Sequence, residues 1–162
     1  MLLTNPLLAE DMNVKNEPKG IIGRSYENGF PIIWKFVNEF PANDIRSKLQ
    51  WLTVISWKYS DKDNNGMPNT ETNQKMIDLE VAIEENIESS GKCQHAYSRT
   101  GNNLKELVYY INSRDEFLER FNMALKTHVR YPIEINFYED KNWEDFQRIL
   151  TLFNKNNGEQ KH

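Results

Sequence analysis

From Leu52 onward the apolar residues recur alternately with the two-residue period of a strand and the 3.6-residue period of a helix, and that order limits the folds open to the chain. Leu52–Tyr59, LTVISWKY, is a β-rich run with Thr53, Ile55, Trp57 and Tyr59 on one face and Leu52 and Val54 beginning the other. Between Thr72 and Ser89, Met76, Leu79, Ile83 and Ile87 form one helical stripe, and Gly91 is placed to end that helix. Cys93–Ser98 and Leu107–Ile111 are two short strands around Thr100-Gly101-Asn102-Asn103. Ser113 with Glu116 makes a capping box before the stripe Phe117, Phe121, Ala124, Leu125. Pro132–Tyr138 is a further strand with Ile133, Ile135 and Phe137 on one face. Trp143, Phe146, Leu150 and Phe153 mark a C-terminal helix capped by Asn142 or Asp140.

The order is strand, helix, strand, strand, helix, strand, helix, and its first six elements match a ferredoxin-like βαββαβ unit. The fold class expected is α+β: an antiparallel sheet with helices on one face, an added N-terminal β-hairpin and the C-terminal helix. The hairpin is read from Asn28-Gly29 between two apolar-aromatic runs, since both turn residues must take positive φ. Pro31, with no N–H to give, favours an edge position near that turn. A chain of 162 residues is one domain by length and buries roughly 70% of its unfolded surface, enough for a core without staples. The expected division is a polar arm over 1–20, one α+β domain over 21–153 and a flexible tail over 154–162.

Several classes are disfavoured. The net charge is -4, whereas a nucleic-acid binder usually shows a basic face. With Cys93 as the sole cysteine, no internal disulfide forms. The N-terminus has no basic leader, its apolar run is broken by Pro6, and no run approaches the ~20 apolar residues of a spanning helix. The expectation is a cytoplasmic protein with no membrane and no direct nucleic-acid partner.

The chain resembles the domain-of-unknown-function family numbered 695. The resemblance is carried by the hairpin at Asn28-Gly29, LTVISWKY, Gly66-Met67-Pro68 and Asp78-Leu79-Glu80. Ser98-Arg99-Thr100-Gly101 before the Tyr109 strand, Tyr131-Pro132-Ile133, and Asp140 with Trp143 complete it over about residues 21–150. One departure is Lys105-Glu106, where the family often has an aromatic. The resemblance implies no assigned activity. Some relatives are fused to a domain similar to the regulator of ribonuclease E activity, which implies interaction or regulation and transfers no catalytic residue.

Each candidate chemistry has a plainer structural reading. Asp61, Asp63, Asn65 and Gly66 match the first half of a calcium loop, but the twelfth position is Thr72, Glu71 stands one place early, and a strand precedes the loop. Cys93 and His95 share a strand face, but no second His/Cys cluster accompanies them, and a strand cysteine normally packs as a small hydrophobe. His128 is expected to end a helix, where the dipole favours a cation. Glu84-Glu85, Glu139-Asp140 and Glu144-Asp145 are paired carboxylates, but adjacent residues on a helix point different ways, so these pairs are read as solvated faces. No phosphate-cradling glycine loop or nucleophile elbow occurs. No catalytic residue and no cofactor is expected.

Residues 60–90 carry eight acids against Lys62 and Lys75, an excess of six negative charges that outweighs the net charge of the whole chain. Glu80, Glu84 and Glu88 repeat at four-residue spacing, and Glu85 adds to Glu88. Such like pairs cost a helix about 0.2–0.5 kcal/mol each, and acids near its carboxyl end oppose the dipole. The plain reading is a solvated face. The sharper reading is a docking surface of Glu80, Glu84, Glu85, Glu88, Asp61 and Asp63 for a basic protein.

The function expected is therefore a non-catalytic protein binder, most specifically an immunity protein that neutralises a basic toxin, such as a nuclease toxin of a contact-dependent inhibition system. The alternatives are a regulatory interaction module of RNA-processing machinery and, further off, a metal protein or enzyme using Asp61–Asn69.

Overall fold

The computed structural model describes residues 20–61 and 64–160, with side chains described to Asn154. The polar arm lies outside the described residues, apart from Gly20 at its end. Six strands, β1 (Gly20–Glu27), β2 (Phe30–Val37), β3 (Trp51–Lys58), β4 (Cys93–Gly101), β5 (Leu104–Ile111) and β6 (Ile133–Glu139), form one sheet. The helices are α1 (Asn43–Lys48), α2 (Thr70–Asn86), α3 (Arg114–Ala124) and α4 (Glu144–Gln160). A 3₁₀ turn at Glu88–Ser90 follows α2 and closes on Gly91 in the left-handed region, φ 76°. The strand order is β1-β2-β4-β5-β3-β6, and every neighbouring pair is antiparallel. No described helix is long and apolar enough to cross a membrane.

Asn28 and Gly29 take φ of 50° and 81° and close β1 onto β2 as the two-residue hairpin expected. Asn102 and Asn103 do the same between β4 and β5, at 49° and 64°. Pro31 corrects the edge-strand expectation, because β2 is interior, between β1 and β4. It is tolerated at the strand's end: the β2–β4 ladder begins only at Ile33, so no ladder bond needs its missing N–H. Short helix α1, between β2 and β3, was not legible in the sequence because none of its own residues is buried.

The sheet is covered on both faces, which corrects the expectation of helices on one side. On the first face α2 and α3 lay Met76, Leu79, Ile83, Ile87, Phe117 and Phe121 on Ile55, Trp57, Cys93, Leu107, Tyr109 and Ile111. Ile133, Ile135 and Phe137 of β6 flank this core. On the second face α4 brings Trp143, Phe146, Ile149, Leu150 and Phe153 onto Leu52, Phe36, Ala96, Tyr97, Val108 and Tyr110.

The start of α4 sits on β5, where Trp143 stacks on Tyr110 at 3.8 Å between ring centroids and donates its indole N–H to the Leu49 carbonyl at 2.7 Å. Its later turns reach the hairpin, where Phe153 stacks on Phe36 at 5.0 Å. Gly23 is needed there, since a Cβ on it would stand 2.4 Å from the Phe153 ring. Of the two cap candidates, Asp140 is the one used, accepting from Glu144 N–H at 2.9 Å and Asp145 N–H at 3.1 Å. The helix continues beyond Asn154, where the sequence places the start of the tail, to Gln160.

Thr53, in the middle of β3, is fully buried, and its Oγ1 makes no hydrogen bond among the described residues. A buried hydroxyl without a partner costs about 1–3 kcal/mol on mutational scales. Thr53→Val, nearly the same shape, is expected to raise the unfolding free energy by about 1 kcal/mol. Urea titration reads this directly, and a loss of stability would show that the hydroxyl is satisfied.

Candidate interaction cleft

The stripe of α2 that packs on the sheet is Met76, Leu79, Ile83 and Ile87. One residue further round the helix, Glu80, Glu84 and Glu88 line the flank that looks toward β5, β4 and β2. Between them and the sheet lies a cleft of about 310 Å³, closed on the sheet side by Tyr109, His95, Ser98 and Lys35. The core under α2 and α3 contains no residue of β1 or β2, so the cleft opens onto bare hairpin. Ile22 and Tyr26 of β1 are 72% and 65% exposed there, on the face of Lys35 by the pairing Ile22↔Lys35.

The ladder is spent partly inside the molecule. Glu80 pairs with Lys105 at 3.0 Å, and the Lys105 side chain is only 8% exposed. Lys105 also donates to Thr100 Oγ1 at 3.1 Å. Glu88 accepts the backbone N–H of His95 at 2.9 Å. That N–H stands at the bulge where β4 slips register between His95 and Tyr97, a place where the ladder leaves groups unpaired. Glu84 and Glu85 stay exposed. Glu85 lies outside the cleft, in a shallow depression with Val81, Glu84, Glu88 and Ser89.

The titration behaviour follows from this placement. Burial pushes the Glu88 carboxyl up, the His95 N–H pulls it down, and Glu84 and Glu80 push it up again. Burial holds the His95 imidazole down at about 4, with Glu80 opposing and Lys105 and Lys35 assisting, so the ring is neutral at pH 7. It meets Tyr109 edge-on at 5.2 Å. Tyr109 is 2% exposed, and its hydroxyl is held well above the usual phenol range by burial, with Glu88 the largest charge beside it. Cys93 is buried in the core, and burial pushes its thiol up, which makes it a packing residue rather than a nucleophile.

The calcium-like loop is held by its own side chains. Asp61 accepts from Asn69 N–H at 2.6 Å and from its side-chain amide at 3.2 Å, while Asn69 caps α2 through Thr72 N–H at 2.8 Å. Tyr59 donates to the Gly66 carbonyl at 2.6 Å. Asp61 therefore stands at the amino end of α2, away from the acidic flank, and Asp63 lies outside the described residues. His128 follows α3 rather than ending it, and its Nδ1 shares a 2.8 Å hydrogen bond with the Tyr131 hydroxyl. Asp140 and Asp145, read as solvated carboxylates, accept the hydroxyls of Tyr110 at 2.7 Å and Tyr97 at 2.6 Å.

Sequence reasoning missed Lys35, Ser98, Lys105 and Tyr109 as lining or supporting residues. A signal for Lys105 existed: it is the one charge in the alternation Lys105, Leu107, Tyr109, Ile111, which otherwise faces the core.

Two outcomes check this arrangement. Lys105→Ala is expected to cost about 1–3 kcal/mol because it strands the Glu80 carboxylate. In a double-mutant cycle Glu80→Ala should recover part of that loss, and additive losses would mean the pair is not coupled. His95, depressed below its unfolded value, contributes stability that is present above pH 6.5 and lost as pH falls toward 4. His95→Gln should flatten that fall in a urea series across this window, and an unchanged slope would assign the loss to other groups.

The family model described as a family of unknown function (DUF695) matches residues 24–151. No curated protein matches the chain. The match runs from the middle of β1 through β6 to the first half of α4, and the chain belongs to this family.

Proposed function

We propose that the protein is a non-catalytic binder that takes a basic protein partner on the outer strip of α2. In its most specific form it is an immunity protein acting in the cytoplasm, which occludes a basic toxin, such as the nuclease domain of a contact-dependent inhibition system. The observation that carries the reading is the strip Ile77, Val81, Glu84, Glu85. Its two apolar residues are 40% and 41% exposed, and its two carboxylates form no ion pair among the described residues. Val81, Glu84 and Glu85 lie four, seven and eight residues after Ile77, so all four share one side of the helix. Apolar area beside uncompensated charge suits an interface in which charge steers encounter and burial holds the complex. Glu80, paired with Lys105, and Glu88, with one carboxylate oxygen on the His95 N–H, hold the strip in place.

The platform for this strip is read as a ferredoxin-like unit from β3 to β6 with the β1–β2 hairpin added beside β4. The strand order β6-β3-β5-β4 and the two helices α2 and α3 sharing one face support that reading.

The test uses the polypeptide encoded beside this chain as the partner, with association followed by stopped-flow fluorescence. Glu84→Lys with Glu85→Lys is expected to slow association about tenfold at low ionic strength and to flatten its salt dependence. The urea midpoint should stay level or rise slightly, since like charges on the helix are relieved. Association at the wild-type rate, or no complex at all, would sink the proposal.

A further inference from the structure

Three features of the cleft behind the strip bear on what it can hold. Tyr109 is almost wholly buried, yet its hydroxyl makes no hydrogen bond among the described residues, unlike Tyr97 and Tyr110, whose hydroxyls each hold a carboxylate. The His95 ring likewise has no hydrogen-bond partner among the described residues; only its backbone N–H is engaged, by Glu88. Glu84 stands at the mouth with its carboxylate unpaired among the described residues, beside Glu88, which has one oxygen on the His95 N–H.

The cleft is therefore rich in acceptors. Glu84 and Glu88 offer carboxylate oxygens, Tyr109 and Ser98 hydroxyl oxygens, and the neutral His95 one ring nitrogen. The cation in its lining is Lys35, exposed on β2, and the nearby Lys105 is spent on Glu80. A group that fits such a lining is planar, positively charged, and carries donors without acceptors. Guanidinium meets all three conditions. A volume of about 310 Å³ admits one such side chain.

We infer that this cleft is a pocket for a single arginine side chain of the partner, inserted between Glu84 of α2 and Glu88 of the 3₁₀ turn on one wall and Tyr109 and His95 of the sheet on the other. The inference rests on the reading of the protein as a binder of basic partners and adds the residue type that the partner presents. Arginine fits better than lysine because its fork can reach two acceptors on opposite walls, whereas an ammonium satisfies one point.

The experiment needs no protein partner. Acetylarginine amide is titrated into the ¹⁵N-labelled full chain at low ionic strength, with acetyllysine amide (free ε-amine) and acetylcitrulline amide run alongside. Saturable shifts at His95, Ser98 and Tyr109 are expected with the arginine probe, several-fold weaker with lysine and absent with citrulline. Glu84→Gln, at an exposed position that leaves the fold intact, should weaken the arginine response about tenfold, as expected for one lost charge-assisted bond. Shifts that are absent, that do not saturate, or that citrulline reproduces would overturn the pocket. Glu85→Lys should leave the probe affinity within twofold while still slowing the protein partner. The pocket and the strip thus fail separately.

Discussion

A six-stranded antiparallel sheet with aromatic residues on both faces has to be covered twice, and the rest of this structure depends on how that is done. Such a sheet is roughly 24 Å wide at the usual strand spacing, whereas a helix with its side chains is roughly 10–12 Å across. Two helices close the first face from β4 to β6 and stop short of the hairpin. One helix closes the second face from β3 to β1. The covers are offset, so the hairpin is packed from the α4 side and bare on the other. The bare end and the flank of α2 that faces it make the cleft.

The acidic flank gains its stability from this offset. Three glutamates at four-residue spacing weaken an isolated helix. Here Glu80 meets a nearly buried lysine and Glu88 closes the gap left by a bulge, so two of the three gain partners from the sheet. The bulge and the ladder support one another: β4 can slip register at Ala96 because a carboxylate waits for the freed N–H. A similar trade occurs on the second face, where Asp140 and Asp145 cap or begin α4 and also hold tyrosine hydroxyls from the sheet.

Local chemistry was legible wherever a residue type has one strong conformational preference. Asn28-Gly29 could only be a tight hairpin, Ser113 accepts from Glu116 N–H as the capping pattern requires, and the four apolar residues of α2 all reach the core. The faces of β3 and β6 followed from alternation alone, because their neighbours lie in register. Carboxylates read poorly, since a charge on a helix looks the same in sequence whether it meets water, a lysine or a phenol. That is why Asp61, placed with the acidic surface, proves to pin the Asn69 cap, and why Glu88 proves to face inward. Short helix α1 escaped notice because it buries nothing of its own, and Pro31 was misplaced because the ladder beside it starts late.

The sequence by itself determined the element order, the turns, the caps and which side of each element is apolar. These are set within a few residues by steric limits on φ and by side-chain period. Only the tertiary structure decided which face α4 would cover, where the sheet would be left bare, and which charges would find partners further along the chain, from Glu88 with His95, 7 positions on, to Asp145 with Tyr97, 48 positions away. Those outcomes depend on long-range register and on the offset of the two covers, which set one flank of a helix against the bare end of the sheet as the wall of a cleft.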